Sequence, residues 1–323
     1  MPIPLHFPHN PFILKIYESA LQSGGRREAR PGKGVSMKSV TEYAYAKINL
    51  ALDVTGVREN GYHDVRMIMQ SVDLHDTLKL TQAEEPGVTL SVGTAPLPAG
   101  PGNLVYDAAK LLLDTYAPDR GVRIELAKTI PMSAGLAGGS SDAAATLRGI
   151  NKLFSLGLSD DTLRELGVTL GADIPYCITG GTALAEGIGE IISPLPSMPS
   201  CWILLVKPPK GVSTGFVYKN LDMNNLQHPD VDGMMDSIRR GSYVGVASKL
   251  GNVLESVTLA HCPEIAAIKT QMQSLGADGV LMSGSGPTVY GIFPTKAAAG
   301  FAYTHFRVGP YGSETYLAQP TRP

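Results

Sequence analysis

The fold of this chain is decided by one stretch, Pro131-Met132-Ser133-Ala134-Gly135-Leu136-Ala137-Gly138-Gly139-Ser140-Ser141-Asp142. An alternating apolar run at 122–126 precedes it and predicts a strand, and a pattern of small and apolar residues after it predicts a helix. Glycines let a backbone approach a ligand closely, and the first N–H groups of a helix lack intrahelical partners. A strand, a small-residue loop and a helix in this order therefore predict an anion site, most often one for phosphate.

This loop does not match the two commonest phosphate motifs. It lacks the Lys of the Walker A pattern, and its glycines do not fit the dinucleotide pattern GxGxxG. A purely structural alternative stays open at this point. In that reading the loop only closes against the sheet, and Ser140 or Ser141 only caps the helix.

Composition narrows the class of protein. A chain of 323 residues with 43% hydrophobic content can bury a sizeable core in two domains, and its net charge of −2 favours neither nucleic acid nor an anionic membrane as a partner. No apolar stretch reaches the roughly 18 residues of a membrane-spanning helix. The three cysteines form no CxxC pair, which fits a reducing cytoplasm better than a disulfide framework or a zinc site. We expect a cytoplasmic protein.

Composition also changes along the chain and predicts its domains. Residues 1–36 are rich in Pro, Gly and Arg, and we expect a disordered extension there, with an organellar targeting peptide as the alternative. Prolines at 194, 196 and 199 mark a boundary. The expected domains are therefore 37–196 and 197–316, followed by a tail at 317–323.

Several shorter patterns complete the outline of the first domain. Alternation over 43–54 predicts a strand that carries Lys47 and Asn49 on its polar face, and further strands are predicted at 65–72, 77–80 and 88–92. Asn103 is placed to cap a helix. A helix from Ser159 is expected to end at Gly171, and the residue before a proline avoids helical dihedrals, so Ala172-Asp173-Ile174-Pro175 should lie outside a helix.

Five motifs in order carry a resemblance to a known family. They are Ala46-Lys47-Ile48-Asn49-Leu50, Asn60-Gly61-Tyr62-His63, the loop at 131–144, Leu170-Gly171-Ala172-Asp173-Ile174-Pro175 and Ser283-Gly284-Ser285-Gly286-Pro287. This set, which spans about residues 43–316, resembles the GHMP kinases. The resemblance implies an α+β fold, with a ribosomal-protein-S5-like N-terminal domain, a ferredoxin-like C-terminal domain and the site between them.

Within the superfamily, the motifs are most similar to the branch that acts on a cytidine-diphosphate methylerythritol. The resemblance implies an ATP-dependent kinase that phosphorylates the 2-hydroxyl of this small molecule on a route to isoprenoid precursors. A kinase for a smaller alcohol, such as homoserine or phosphomevalonate, is one alternative. A nucleotide-binding regulatory protein without catalysis is another, although the chain keeps both Lys47 and Asp173. Either a monomer or a homodimer is compatible with the sequence.

The resemblance assigns catalytic roles to two residues. Asp173 matches the general base that takes the proton of the acceptor hydroxyl, and Lys47 matches the Lys beside that base, which would orient it and stabilise negative charge. Asn49 matches a hydrogen-bond partner of the substrate. The structural alternatives are an Asp in a turn and a Lys on a strand face.

The resemblance also assigns ligands to ATP. Backbone amides of residues 131–141 and the hydroxyls of Ser140 and Ser141 would hold the phosphates, and Mg²⁺, implied by ATP chemistry, would have Ser141 as a ligand. Asn103 and Lys128 match positions near adenine, with a helix cap and a solvated Lys as alternatives. Because methyl groups disfavour positive φ, we expect ordinary φ values at Ser133, Ala134 and Ala137.

The acceptor end is expected to carry aromatic residues. Tyr62 and His63 match a nucleoside-binding pair, and Tyr218 occupies the place of a second aromatic ring, so a cytosine base would stack between rings. A buried helix aromatic is the alternative for Tyr218.

Overall fold

The computed structural model of the protein describes residues 38–321, so the expected extension at 1–36 lies outside the described residues. The first half of the described chain begins with two long strands, continues through helices that pack on them, and ends with two short strands. Its elements are β1 (Ser39–Val57), β2 (His63–Ala83), β3 (Gly87–Ser91), α1 (Leu104–Tyr116), β4 (Gly121–Ala127), α2 (Gly138–Phe154), α3 (Asp160–Val168), α4 (Ile174–Thr179), β5 (Thr182–Glu186) and β6 (Ile191–Pro194).

The second half alternates short strands with helices. Its elements are β7 (Trp202–Val206), α5 (Thr214–Lys219), α6 (Val231–Arg239), α7 (Tyr243–Ser248), β8 (Gly251–Asn252), α8 (Glu255–His261), α9 (Glu264–Ser274), β9 (Gly279–Met282), β10 (Val289–Phe293), α10 (Lys296–Arg307), a 3₁₀ turn (Gly312–Glu314) and β11 (Thr315–Ala318).

One mixed sheet and one antiparallel sheet organise these elements. A seven-stranded sheet has the order β3-β4-β2-β1-β8, with β5 on β2 and β6 on β5, and a four-stranded sheet has the order β11-β7-β10-β9. Helices α1 and α2 bury their apolar residues against β2 and β4. Helix α2 packs so closely on β2 that a Cβ added at Gly149 would lie only 2.7 Å from Leu80 Cδ1.

Two contacts join the two halves of the chain across the expected boundary at 196, and that boundary stays a prediction. Strand β8 comes from the second half of the chain but pairs in parallel with Ala51 and Leu52 of β1. After β11, a backbone bridge joins Pro320 to Val72 of β2. Residues of the expected tail thus contribute to both sheets.

The structure corrects two predicted boundaries. The strands expected at 65–72 and 77–80 are one strand, β2, because its polar residues stay paired with β1; Asp76, for example, pairs with Ala44. The expectation for Ile174 and Pro175 is also wrong, since both lie in the first turn of α4. A proline is tolerated there because that turn has no intrahelical N–H bond to lose.

Two other helix predictions are confirmed at their first residues. Asn103 caps α1 through Val105 N, and Ser159 caps α3 through Thr162 N. Among residues 38–321, no helix is both long and apolar enough to cross a membrane.

Candidate active site

A cleft of about 780 Å³ gathers most of the residues that the sequence analysis selected. The phosphate loop at 131–140 forms much of its wall, and residues from both halves of the chain complete it. The predicted residues on its surface outside the loop are Lys47, Asn49, Tyr62, His63, Asn103, Lys128, Asp173 and Tyr218.

The N-terminus of α2 opens onto this cleft. Ala137 stands at the N-cap position and supplies no side-chain acceptor, and Gly138, Gly139 and Ser140 line the cleft. The first N–H groups of α2 therefore keep their capacity to donate to an anion, and the helix dipole favours one there. The alternative in which Ser140 or Ser141 merely caps the helix is wrong.

The loop backbone departs from the expectation at two of three positions. Ser133 has φ +49° and Ala137 has φ +56°, whereas Ala134 has no positive φ. Such a conformation costs roughly 1–2 kcal/mol for a residue with a Cβ. The prediction was wrong because it weighed local preference alone, while buried neighbours fix the loop: Ala134 and Leu136 are 3% and 1% exposed.

Gly135 is the point where the loop meets the third motif. Its φ is +73°, and a Cβ there would lie 2.2 Å from the carbonyl oxygen of Ser283. The Gly135 carbonyl accepts from Ser283 Oγ at 2.9 Å and from Lys47 Nζ at 3.2 Å. The loop, β1 and the segment after β9 therefore meet at one carbonyl.

Lys47 and Asp173 both line the cleft but are not paired with each other. Lys47 is 5% exposed, and its Nζ donates to Asn49 Oδ1 at 2.7 Å. Asp173 is half-buried at the N-terminus of α4. Both residues are described by the structure, and no ion pair of 4.0 Å or less joins them. Lys47 is thus held by β1 and the loop, and not by the carboxylate that it was expected to orient.

Lys128 is neither solvated nor free to reach far into the cleft. Its Nζ donates to Asp76 Oδ2 at 2.5 Å and to Asp142 Oδ2 at 2.7 Å. Asp76 Oδ1 also accepts from the backbone N–H groups of Thr129 and Ile130, at 2.5 and 2.8 Å. This cluster of Asp76, Lys128 and Asp142 ties the two ends of the phosphate loop together, and the solvated-Lys alternative is wrong.

The charged groups of this cluster shift one another's pKa values. Burial raises the pKa of Asp142 to about 8, although the ammonium of Lys128 works against that rise. The pKa of Lys128 is also raised, because the two carboxylates outweigh the effect of burial. Sequence reasoning selected Lys128 but missed Asp76 and Asp142, and an Asp within the first turns of a phosphate-binding helix was the available signal.

Asn103 borders the cleft with its amide already engaged. Its Oδ1 accepts from Val105 N at 3.0 Å, and its Nδ2 donates to Pro98 O at 2.8 Å. The capping alternative is therefore confirmed. The side chain fixes the start of α1 beside the phosphate loop. Few of its hydrogen-bonding groups are left for a ligand.

Ser141, the predicted Mg²⁺ ligand, does not line the cleft. It is 2% exposed, and its hydroxyl donates to Tyr45 O at 2.6 Å. Residues 38–321 contain no cluster of three His, Cys, Asp or Glu side chains suited to a metal. The cleft does carry the Asp142 carboxylate, whose buried Oδ1 has no partner, and Ser140. These oxygens fit an Mg²⁺ held mainly by phosphates and water, as is usual for this ion.

Aromatic rings line the cleft near the segment after β1. The rings of His63 and Tyr218 lie 5.1 Å apart at an angle of 50°. Tyr62 also lines the cleft and is 47% exposed, so part of its ring is open for stacking. Tyr218 is partly buried but still borders the cleft, so the alternative of a purely internal aromatic does not describe it fully. A planar base would find aromatic surfaces on β2 and α5.

Comparisons with known families match both halves of the chain. The family described as GHMP kinases N terminal domain matches residues 103–181, and the family described as GHMP kinases C terminal matches residues 234–307. The first match contains the phosphate loop and Asp173, and the second contains the third motif.

Individual relatives agree with these families. A 4-diphosphocytidyl-2-C-methyl-D-erythritol kinase from Lachnoclostridium phytofermentans is 51% identical over 88% of this chain and 98% of its own. The same kinase from Bacillus cytotoxicus is 55% identical over 77% and 86%. A crystal structure of 4-(cytidine 5'-diphospho)-2C-methyl-D-erythritol kinase has a TM-score of 0.76 and 32% identity, over 88% of this chain and 100% of its own.

Proposed function

The chain belongs to the 4-diphosphocytidyl-2-C-methyl-D-erythritol kinase family of the GHMP kinases, and we propose that its cleft transfers the γ-phosphoryl group of ATP to the 2-hydroxyl of that acceptor. One observation carries this proposal. A single cleft joins an open helix N-terminus, a buried Lys, a half-buried Asp and a group of aromatic rings. These are the parts that a nucleotide, a reacting hydroxyl and a cytosine base require.

Asp173 would act as the general base. As the acceptor oxygen forms its bond to the γ-phosphorus, the hydroxyl proton passes to the Asp173 carboxylate, and the bond from the γ-phosphorus to the bridging oxygen of ADP breaks. Asp173 is half-buried at the cleft surface, so a hydroxyl can approach it. A base positioned within hydrogen-bond reach of the proton contributes typically about 10²–10⁴-fold to the rate.

Lys47 would stabilise the charge on the transferred group. Its ammonium is fixed by Asn49 and by Gly135 of the phosphate loop, so it is already placed when the nucleotide binds. Fixed cations act more strongly than mobile ones, because no reorganisation is needed at the moment of reaction. The amides at the start of α2 would hold the phosphates in the same way.

The nucleotide is ATP, and we propose that Mg²⁺ accompanies it. Asp142 and Ser140 are the cleft residues whose oxygens would face the ion. When bound, Mg²⁺ supplies positive charge to the phosphate oxygens. The cluster of Asp76, Lys128 and Asp142 would keep the loop in the shape that receives the phosphates.

Tyr62, His63 and Tyr218 would select the acceptor. The phosphate loop serves any alcohol kinase, whereas aromatic surfaces and ring nitrogens suit a pyrimidine base. Stacking of a base on an aromatic side chain contributes about 1–3 kcal/mol. A smaller acceptor such as homoserine has no base to place there.

A phosphotransfer assay with three acceptors tests this assignment. Cytidine-diphosphate methylerythritol, homoserine and phosphomevalonate would be offered at equal concentration with ATP. We expect transfer to the cytidine compound with the highest kcat/KM. Preference for either other alcohol would overturn the named substrate, and no transfer to any of the three would favour the regulatory alternative.

Two further features stay predictions. A reducing cytoplasm is supported by Cys177, Cys201 and Cys262, which are free thiols in the described chain. A monomer or a homodimer is expected, and sedimentation of the purified protein would decide between them.

A further inference from the structure

Asn49 occupies a different position from the one expected of a substrate ligand. It borders the cleft, but its exposed fraction is 0%. Its polar atoms therefore offer a substrate no solvent-accessible surface in this conformation. This burial suggests that Asn49 acts on another residue.

Both ends of the Asn49 amide already have partners. Oδ1 accepts from Lys47 Nζ at 2.7 Å, and Nδ2 lies 3.3 Å from Met67 Sδ. An ammonium only donates and a thioether only accepts, so the two neighbours fix the orientation of the amide. The oxygen of Asn49 is therefore directed at the ammonium of Lys47.

The backbone of Asn49 is held as firmly as its side chain. Its carbonyl accepts from Tyr290 Oη at 2.8 Å, and Tyr290 is 0% exposed on β10. Asn49 thus belongs to β1 but is braced by a strand of the other sheet. Because Asn49 is held in this way, its Oδ1 can fix the position of the ammonium at the end of the flexible Lys47 side chain.

We infer that Asn49 is a positioning residue: it sets the place of the Lys47 ammonium and does not bind the acceptor. This inference rests on the proposed phosphotransfer, in which Lys47 stabilises charge. Without Asn49, only the Gly135 carbonyl at 3.2 Å would hold the ammonium. A hydrogen bond to a charged group corresponds to a factor of about 10–100 in rate.

The first experiment separates turnover from binding. In Asn49→Leu, which has the same number of side-chain heavy atoms and the same branching but no acceptor, we expect kcat to fall about 10–100-fold. The Kd of the cytidine-bearing acceptor, measured by calorimetry, should stay within about twofold of wild type. Asn49→Asp keeps an oxygen for Lys47 and should recover part of kcat. If Asn49→Leu does not fold, Asn49→Ser, whose side chain is too short to reach Lys47, replaces it.

A double-mutant cycle with Lys47→Met then tests the route of action. If Asn49 acts only through Lys47, adding Asn49→Leu to Lys47→Met should change kcat by less than about twofold. Asn151→Leu is the matched control, because this amide holds only the backbone of Leu158 at the far end of α2. Asn151→Leu should lower the melting temperature and leave kcat at the wild-type value.

Two results would overturn the inference. One is a tenfold or greater rise in acceptor Kd with kcat unchanged in Asn49→Leu, as for a substrate ligand. The other is a full, additive loss in the Lys47→Met background. If the wild-type enzyme preferred another alcohol, the proposed acceptor would fail, and the same cycle run with that alcohol would still decide the role of Asn49.

Discussion

Asp173 is the residue on which the proposed chemistry depends most directly. Asp173→Asn keeps the shape of the side chain but removes the base, so we expect kcat to fall about 10²–10⁴-fold. ATP binding should persist, because the phosphate loop is untouched. Single-turnover kinetics and nucleotide titration would measure the two effects.

The control for that variant is Asp119→Asn, at an exposed turn before β4. It should retain full turnover. Near-normal turnover of Asp173→Asn would exclude Asp173 as the base.

His63 should decide which acceptor is used. In His63→Ala the base loses a stacking surface worth about 1–3 kcal/mol and a hydrogen bond worth about 1 kcal/mol. Acceptor affinity should fall by about one and a half to three orders of magnitude, since about 1.4 kcal/mol is tenfold. The apparent affinity for ATP should barely change. A fall in ATP affinity with unchanged acceptor affinity would contradict the role assigned to His63.

Residue types and their order predicted which side chains share the cleft, but not how they are held. Lys47, Asp173 and His63 are all on its surface, as the motifs indicated. The hydrogen-bond partners of Lys47 lie 2 and 88 positions away from it in the sequence. A sequence motif does not tell how far apart such groups lie in space. The positive φ of Ser133 and Ala137 was unpredictable for the same reason, since tertiary contacts impose it.

At the scale of elements, the phosphate loop should tolerate no side chain at Gly135. Gly135→Ala would place a Cβ 2.2 Å from a backbone oxygen at a φ of +73°, so the loop or the third motif must shift. We expect ATP affinity and turnover to fall together, by an order of magnitude or more.

Gly300→Ala is the matched control for that substitution. Gly300 lies within α10, and nothing lies within 4 Å of its added Cβ. Stability should rise by about 0.5–1 kcal/mol, because Ala favours a helix, while kinetics stay unchanged. Equal kinetics for the two Ala variants would contradict a close packing of the loop on the third motif.

In the cluster that ties the ends of the phosphate loop together, substitution of Lys128 should lower the stability of the protein much more than substitution of Asp142. Lys128→Met leaves the buried carboxylate of Asp76 without its cation, which typically costs about 3–5 kcal/mol. Asp142→Asn keeps an oxygen for Lys128, and burial already favours the neutral form of this acid, so the cost should stay within about 1 kcal/mol. Chemical denaturation of both variants measures the difference, and equal losses would contradict it.

At the scale of the whole molecule, the cleft should couple ligand binding to overall stability. Its walls come from both halves of the chain, so a nucleotide contacts elements that the two sheets support. A non-hydrolysable ATP analogue at 100 times its Kd should add about 2.7 kcal/mol, or roughly 5 °C in melting temperature. At the same analogue concentration, the shift should fall by about half or more in Gly135→Ala. An unshifted wild-type transition would contradict nucleotide binding in this cleft.

Most strands of the molecule were predictable from the sequence, whereas the pairing between strands far apart in the chain was not. Strands β9 and β10 are short apolar runs between turns, and such runs are clear strand signals in a sequence. Strand β8 has only two residues, Gly251 and Asn252, and it exists because β1 offers an edge. Such a strand has no periodicity of its own to detect.

The shared carbonyl of Gly135 has a consequence for how this enzyme can change. Because Lys47 and Ser283 both donate to that one oxygen, a shift of the loop that accommodates a different phosphate donor also displaces the ammonium. Selection for a new nucleotide preference should therefore yield slow variants first. Speed should return only through second changes at positions 47–49 or 283–285, so the order in which mutations accumulate is constrained.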